Sequence, residues 1–197
     1  MTRIAVLVSG GGTNLQALID AQNDGRLDQG KLVLVISSVA EAFALERAKK
    51  ENIKSITIER KQFKEISDFD AALSKTLSEH DIDLVVLAGF LSVLGPQTVK
   101  TFSNRIINVH PSLIPSFCGK GYYGLRVHKA VLEYGVKITG ATVHFVNDVV
   151  DGGKIILQKA VEVLHDDTPE TLQLRVMREG EWIILVQAVI MFCKGEI

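Results

Sequence analysis

An asparagine and a histidine stand two residues apart in the stretch Asn108-Val109-His110-Pro111-Ser112-Leu113-Ile114-Pro115. It follows the apolar run Arg105-Ile106-Ile107, which reads as the end of a short buried strand. Pro111 and Pro115 prevent the strand from continuing, so the chain must leave the sheet edge here. On extended backbone the amide of Asn108 and the imidazole of His110 point to one side, and Val109 points to the other. An amide can donate to a developing oxyanion, and an imidazole can move a proton near neutral pH. The same residues also suit a turn amide and a capping histidine, so this stretch alone leaves catalysis and plain structure balanced.

A second stretch adds anion chemistry. Ile4 to Val8 is an unbroken apolar run, the mark of a strand buried on both faces. Ser9-Gly10-Gly11-Gly12-Thr13-Asn14 follows, and then Leu15, Leu18 and Ile19 fall at helical spacing. A strand, a glycine turn and a helix start present backbone N–H groups and a positive helix end to an anion. The turn lacks a Gly-Lys-Ser/Thr ending, which excludes a nucleoside-triphosphate loop. Leu15 stands where a dinucleotide fingerprint needs its third glycine, so a monophosphate ester fits better. A tight turn with no ligand would read the same way.

The elements that must hold these residues alternate strand and helix. Strands are expected at Lys31–Ser37, Ile53–Ile58 and Asp83–Ala88, the last the most apolar and expected at the sheet centre. Helices are expected over Ala40–Glu51, Phe63–His80 and Pro96–Thr101. This order predicts an α/β fold: a Rossmann-like, mostly parallel twisted sheet with helices on both faces. The glycine turn and the residue 108–110 tip would then lie at one edge of that sheet. The apolar loop Gly89 to Leu94 suits a flat aromatic ligand, or simply core.

Residues 115–124 have no helical or strand period and read as a flap over a site, with Cys118 incidental. A helix over Leu125–Tyr134 carries His128, read as a surface or packing residue. Thr139–Val146 and Ile155–Val163 form an antiparallel hairpin around the turn Asn147 to Gly153. By default Asp151 there is an Asx turn and His144 a core residue. Thr168 and Pro169 start an apolar closing helix, which Gly180 interrupts at an expected kink.

Bulk properties set outer limits. With 197 residues, 47% hydrophobic and 23% charged, the chain suits a single globular domain. It divides into a phosphate-substrate half, 1–109, and a half with flap, loop and closing helix, 110–197. A net charge of −1 gives no electrostatic case for nucleic acid. Two distant cysteines make no zinc or disulfide pattern, and no apolar stretch is long enough to span a membrane. The amino-terminal run has no cleavage pattern, so the expected compartment is the cytoplasm. The expected partners are small-molecule substrates, with no membrane and no nucleic acid, for a monomer or homodimer.

Taken together, Ser9-Gly10-Gly11-Gly12-Thr13-Asn14-Leu15, Asn108 to Pro115, and Val143-His144-Phe145-Val146 leading to Asp151-Gly152-Gly153 closely resemble the phosphoribosylglycinamide formyltransferase family. The resemblance covers essentially the whole chain. It implies the formyltransferase fold and transfer of formyl from 10-formyltetrahydrofolate to the amine of glycinamide ribonucleotide, with no metal. Carried over by position, Asn108, His110 and Asp151 form the catalytic set. Asn108 and a protonated His110 would stabilise the tetrahedral oxyanion, and Asp151 would keep the imidazolium populated. The substrate phosphate would rest on Gly12, Thr13 and Asn14, and Glu181 would contact the substrate from the closing helix. The folate would lie between Leu91, Ser92, Val93, Leu94 and Asn108 on one side and Asn147, Asp148, Val149, Val150 and Asp151 on the other. His144 and Ser112 would support the set from behind. The chain carries Ser92 where many members carry Arg, and one extra residue near Gly180.

The alternatives differ in what else they require. A formyltetrahydrofolate hydrolase would use water in place of the amine and usually carries an amino-terminal regulatory domain. A methionyl-tRNA formyltransferase would need a basic RNA-binding extension. A non-catalytic phosphate-binding module would keep the glycine turn without needing Asn108, His110 and Asp151 together.

Overall fold

A computed structural model describes residues 1–197. Seven strands form one sheet in the order β3-β2-β1-β4-β5-β6-β7. They are β1 (Thr2–Val8), β2 (Gly30–Ser37), β3 (Lys54–Thr57), β4 (Leu84–Leu87), β5 (Ile106–His110), β6 (Ile138–Phe145) and β7 (Ile155–Glu162). The first five are parallel, β6 runs antiparallel to β5, and β7 antiparallel to β6. The central position of β4 follows from Leu84, Val85, Val86 and Leu87, each buried. After β1 the chain adds strands on one side, and from β4 onward on the other. The carboxyl ends of β1 and β4 therefore flank the crevice where the strand order reverses.

The alternating pleat splits the core in two. Ile4, Val6, Val8, Val86, Ile107, Val109 and Val143 point to the larger face. It is covered by α1 (Thr13–Asn23), α2 (Phe43–Lys50), α5 (Leu125–Tyr134), α6 (Pro169–Val176) and α7 (Trp182–Cys193). Ala5, Leu7, Val85, Leu87 and Ile106 point to the other, under Phe69, Leu73 and Leu77 of α3 (Ile66–Glu79). The short α4 (Pro96–Thr101) is capped from α3: Asp70 is buried and accepts from the backbone N–H of Gln97 at 2.8 Å and of Thr98 at 3.2 Å.

Some expected boundaries moved. The helix expected from Phe63 begins at Ile66, because Phe63 is extended and closes a separate 3₁₀ turn over Arg60–Gln62. The helix expected from Ala40 begins at Phe43, since Ala42 is extended. The closing helix does not break at Gly180. Instead α6 runs into α7 through a wide π-turn, Met177–Glu181. Gly180 packs closely there: a side chain would bring a methyl to 3.2 Å from the Ala141 Cβ, a tight contact that one neighbour would have to yield to. His128 is not at the surface; it is fully buried in α5. No helix is long and apolar enough to cross a membrane.

Candidate active site

The glycine turn joins β1 to α1 with its carbonyls turned away from the crevice. The Gly10 carbonyl accepts from the Ala44 N–H at 3.1 Å, and the Gly11 carbonyl from Arg47 Nε at 2.8 Å. The N–H groups of Gly10, Gly11 and Gly12 donate to no backbone carbonyl. Gly12 caps α1 with a φ of 69°, and a Cβ there would sit 2.6 Å from the Ala44 Cβ. Only glycine gives both the left-handed turn and the close packing on α2. Thr13 opens the helix, and Asn14 behind it is buried.

Asn108 and His110 end β5, where Val109 joins the large core on the opposite face. Asn108 pairs across the sheet with His144 of β6, which explains a 3.1 Å contact from Asn108 Nδ2 to His144 Nε2. His144 Nδ1 must donate to the Phe145 carbonyl at 2.8 Å, so in the neutral ring Nε2 accepts from the amide. Asp151 comes from the β6–β7 turn with a φ of 54°. Its carboxylate is not engaged in an Asx turn. Oδ2 lies 3.5 Å from His110 Nδ1 and accepts the Gly119 N–H at 2.8 Å, while Oδ1 lies 3.5 Å from Asn108 Nδ2. Gly153 lets this turn fold back, since a Cβ there would collide with the Phe145 carbonyl. Three side chains spread over residues 108 to 151 thus share one small volume.

Charge in this cluster is set by burial and by neighbours. Burial pushes the His110 imidazole below its ordinary value, and the Asp151 charge and the Phe117 carbonyl only partly oppose that. Burial would raise Asp151, but the neighbouring His144 and His110 imidazoles and the Gly119 N–H outweigh it and hold it low. Burial thus works against the imidazolium, while the Asp151 carboxylate, held ionised, is placed to stabilise that charged form once it is made. His110 Nε2 donates to the Phe117 carbonyl at 2.9 Å, so the lone pair of the neutral ring is on Nδ1, facing Asp151.

One cavity of about 740 Å³ contains the glycine turn, the Asn108–His110–Asp151 cluster and Glu181. The chain matches the formyl transferase family model over residues 2–189. The chain belongs to the formyl transferase family. A phosphoribosylglycinamide formyltransferase of Haemophilus influenzae is 40% identical over all of this chain and 90% of its own length. A chloroplastic one of Arabidopsis thaliana is 39% identical over 99% of this chain, which spans 66% of that protein. A trifunctional purine biosynthetic protein of Gallus gallus is 41% identical over 99% of the chain, which spans only 19% of it. The crystal structure of glycinamide ribonucleotide transformylase 1 from Symbiobacterium toebii superposes with a TM-score of 0.93 at 43% identity, covering 99% of this chain and 89% of that one.

The remaining expected residues fall in two groups. Leu91, Ser92, Val93 and Leu94 line the cavity, with Leu91 and Val93 exposed, and Asn147 to Asp151 line it from the β6–β7 turn. Ser112 does not touch the cluster. It is buried and holds the segment after β5, donating to the Ser116 carbonyl at 2.6 Å. Sequence reasoning missed Ser9, whose Oγ accepts the Leu91 N–H at 2.8 Å and so ties the end of β1 to the 88–94 loop. It also missed the Phe117 carbonyl, because a backbone acceptor leaves no residue-type signal. Gln173 and Met177, further cavity residues, read as ordinary helix positions. No group of three or more His, Cys, Asp or Glu side chains is placed to hold a metal ion.

Glu181 sits on the π-turn, 5% exposed, and accepts from Asn14 Nδ2 at 2.7 Å. Burial raises its pKa from 4.5 to about 7, against the smaller opposing effect of the Asn14 bond. Below pH 4.5 the group is protonated in both folded and unfolded chains. Between 4.5 and about 7 the unfolded chain releases the proton and the folded chain keeps it, so stability falls as pH rises across that window. The loss is on the order of 3 kcal/mol. Glu181→Gln should remove this slope in urea denaturation between pH 5 and 8. Parallel profiles for the two proteins would contradict the burial argument.

Proposed function

We propose that this chain transfers the formyl group of 10-formyltetrahydrofolate to the amino group of glycinamide ribonucleotide, a step of de novo purine biosynthesis. The observation that carries this reading is the single cavity that holds an anion-binding turn and the Asn108–His110–Asp151 cluster together. The phosphate would sit on the N–H groups of Gly12 and Thr13 with Asn14 beside them, held by the positive end of α1. Glu181 would take substrate donors from the closing helix. The folate would lie against the apolar lip of Leu91 and Val93 and the backbone of Asn147 to Asp151. A cavity of this volume, apolar on one side and polar at its floor, suits a flat ring system with a reactive centre at one end.

The resting charges suggest the order of proton movements. The substrate amine attacks the formyl carbon, and its proton passes to His110 Nδ1, directly or through a water. The imidazolium formed there is stabilised by ionised Asp151. The carbonyl oxygen becomes an oxyanion. One hydrogen of the Asn108 amide is committed to His144 Nε2, and the other makes only the long contact to Asp151, so it is free to turn to that oxygen. Nδ1–H then protonates the folate nitrogen as its bond to the formyl carbon breaks, and His110 returns to the neutral form.

The test is a spectroscopic assay of tetrahydrofolate release with glycinamide ribonucleotide present and then omitted. Release that requires the amine supports transfer. Release without it would assign the chain to hydrolysis, in which water uses the same three residues.

A further inference from the structure

We propose that Arg47 is a positioning residue for the anionic substrate: from α2 it fixes the glycine turn and supplies its counter-charge from behind. This rests on the phosphate reading of that turn. Arg47 does not line the cavity. Its Nε donates to the Gly11 carbonyl at 2.8 Å, and its Nη1 to Gln16 Oε1 at 2.8 Å, one turn into α1. Its guanidinium lies over the Phe43 ring, with Cζ 5.0 Å from the ring centroid. The fork therefore bridges the turn and the helix that follows it. Holding the Gly11 carbonyl outward aims the following peptide N–H groups inward.

The charge is the second part of the argument. No carboxylate lies within ion-pairing distance of Arg47. The only lysine or arginine that lines the cavity is Lys120, on the flap. A doubly charged phosphate on backbone N–H groups alone would have no cationic side chain in direct contact from the turn itself. A guanidinium bonded to the carbonyl of that turn polarises the adjoining peptide and places a full positive charge one layer back. Arginine is suited to this because its planar fork holds two acceptors in one fixed geometry, whereas a lysine ammonium is a compact point charge on a flexible stem.

The experiment measures competition by inorganic phosphate against glycinamide ribonucleotide, and both Michaelis constants, for the wild type, Arg47→Lys and Arg47→Met. Arg47→Met should raise KM for the amine substrate and the phosphate inhibition constant together, by about tenfold to a hundredfold. Both kcat and the folate KM should stay within about twofold. Arg47→Lys should recover part of the loss by charge alone. Raising salt should narrow the gap between the wild type and Arg47→Met. Thermal melting of each variant shows whether it is folded; should Arg47→Met fail to fold, the comparison of Arg47→Lys with the wild type decides the matter. If phosphate competes equally well in the wild type and both variants, the proposal is overturned and the phosphate turn stands. If phosphate fails to compete even in the wild type, the phosphate reading falls and this inference with it.

Discussion

His110→Ala is expected to lower kcat by about 10³- to 10⁴-fold while leaving the KM for glycinamide ribonucleotide within a few-fold. The range is that of general acid–base catalysis by a positioned imidazole. His110 is 4% exposed, and its ring makes two contacts, with the Phe117 carbonyl and with Asp151. Neither contact reaches the glycine turn, so anion binding should survive. Steady-state kinetics with both substrates varied would check this, and phosphate inhibition would report the turn separately. A His110→Ala protein with near-normal turnover would remove the proton-transfer role. The acid limb of the wild-type profile belongs to the same group. Below its pKa the ring already carries a proton and cannot accept one from the amine. Because burial lowers that pKa, the limb should have its midpoint below 6.5.

Asp151→Asn should cost about 10²- to 10³-fold in kcat and also move that limb. The substitution keeps the shape of the side chain and removes the charge that stabilises the imidazolium. Asp151 is the one influence on His110 with a formal negative charge, so its loss pushes the histidine pKa further down. The acid limb should then shift to lower pH. The two effects together distinguish electrostatic support from simple disorder of the flap, because a collapsed flap would re-expose His110 and move the limb upward. Full pH–rate profiles of kcat/KM for the wild type and Asp151→Asn separate these outcomes. An unshifted limb would mean that Asp151 serves mainly to hold the Gly119 N–H.

The sequence was most informative where hydrophobic period and turn chemistry agreed. The run at residues 84–87, apolar on both faces, placed β4 at the sheet centre, and the glycine turn placed the start of α1 within a residue. The direction of Asn108 and His110 followed from strand alternation alone. Asp151 was different. Before two glycines its local signal is that of a turn, and only tertiary folding of the β6–β7 loop brings it to His110. His128 was legible as helical but as either surface or packing, because charged and apolar residues flank it on α5, and the structure buries it. Its ring nitrogens have no hydrogen-bond partner, and burial lowers its pKa to about 4. The burial that works against a charged His110 was not legible for a related reason: a sequence shows that a carboxylate is available, not how much solvent is excluded.

The π-turn at Met177–Glu181 has a consequence for how such a protein can change over time. A π-turn holds about one residue more than an α-turn. Deleting a single residue there would restore uniform pitch and swing one half of the helix against the other by about 100°. The carboxyl of Glu181 would leave Asn14, while Asn108, His110 and Asp151 are carried on other elements. A single-residue insertion or deletion at this one point would therefore act on the Glu181–Asn14 contact and on how α7 seats in the core, and not on the elements that carry Asn108, His110 and Asp151.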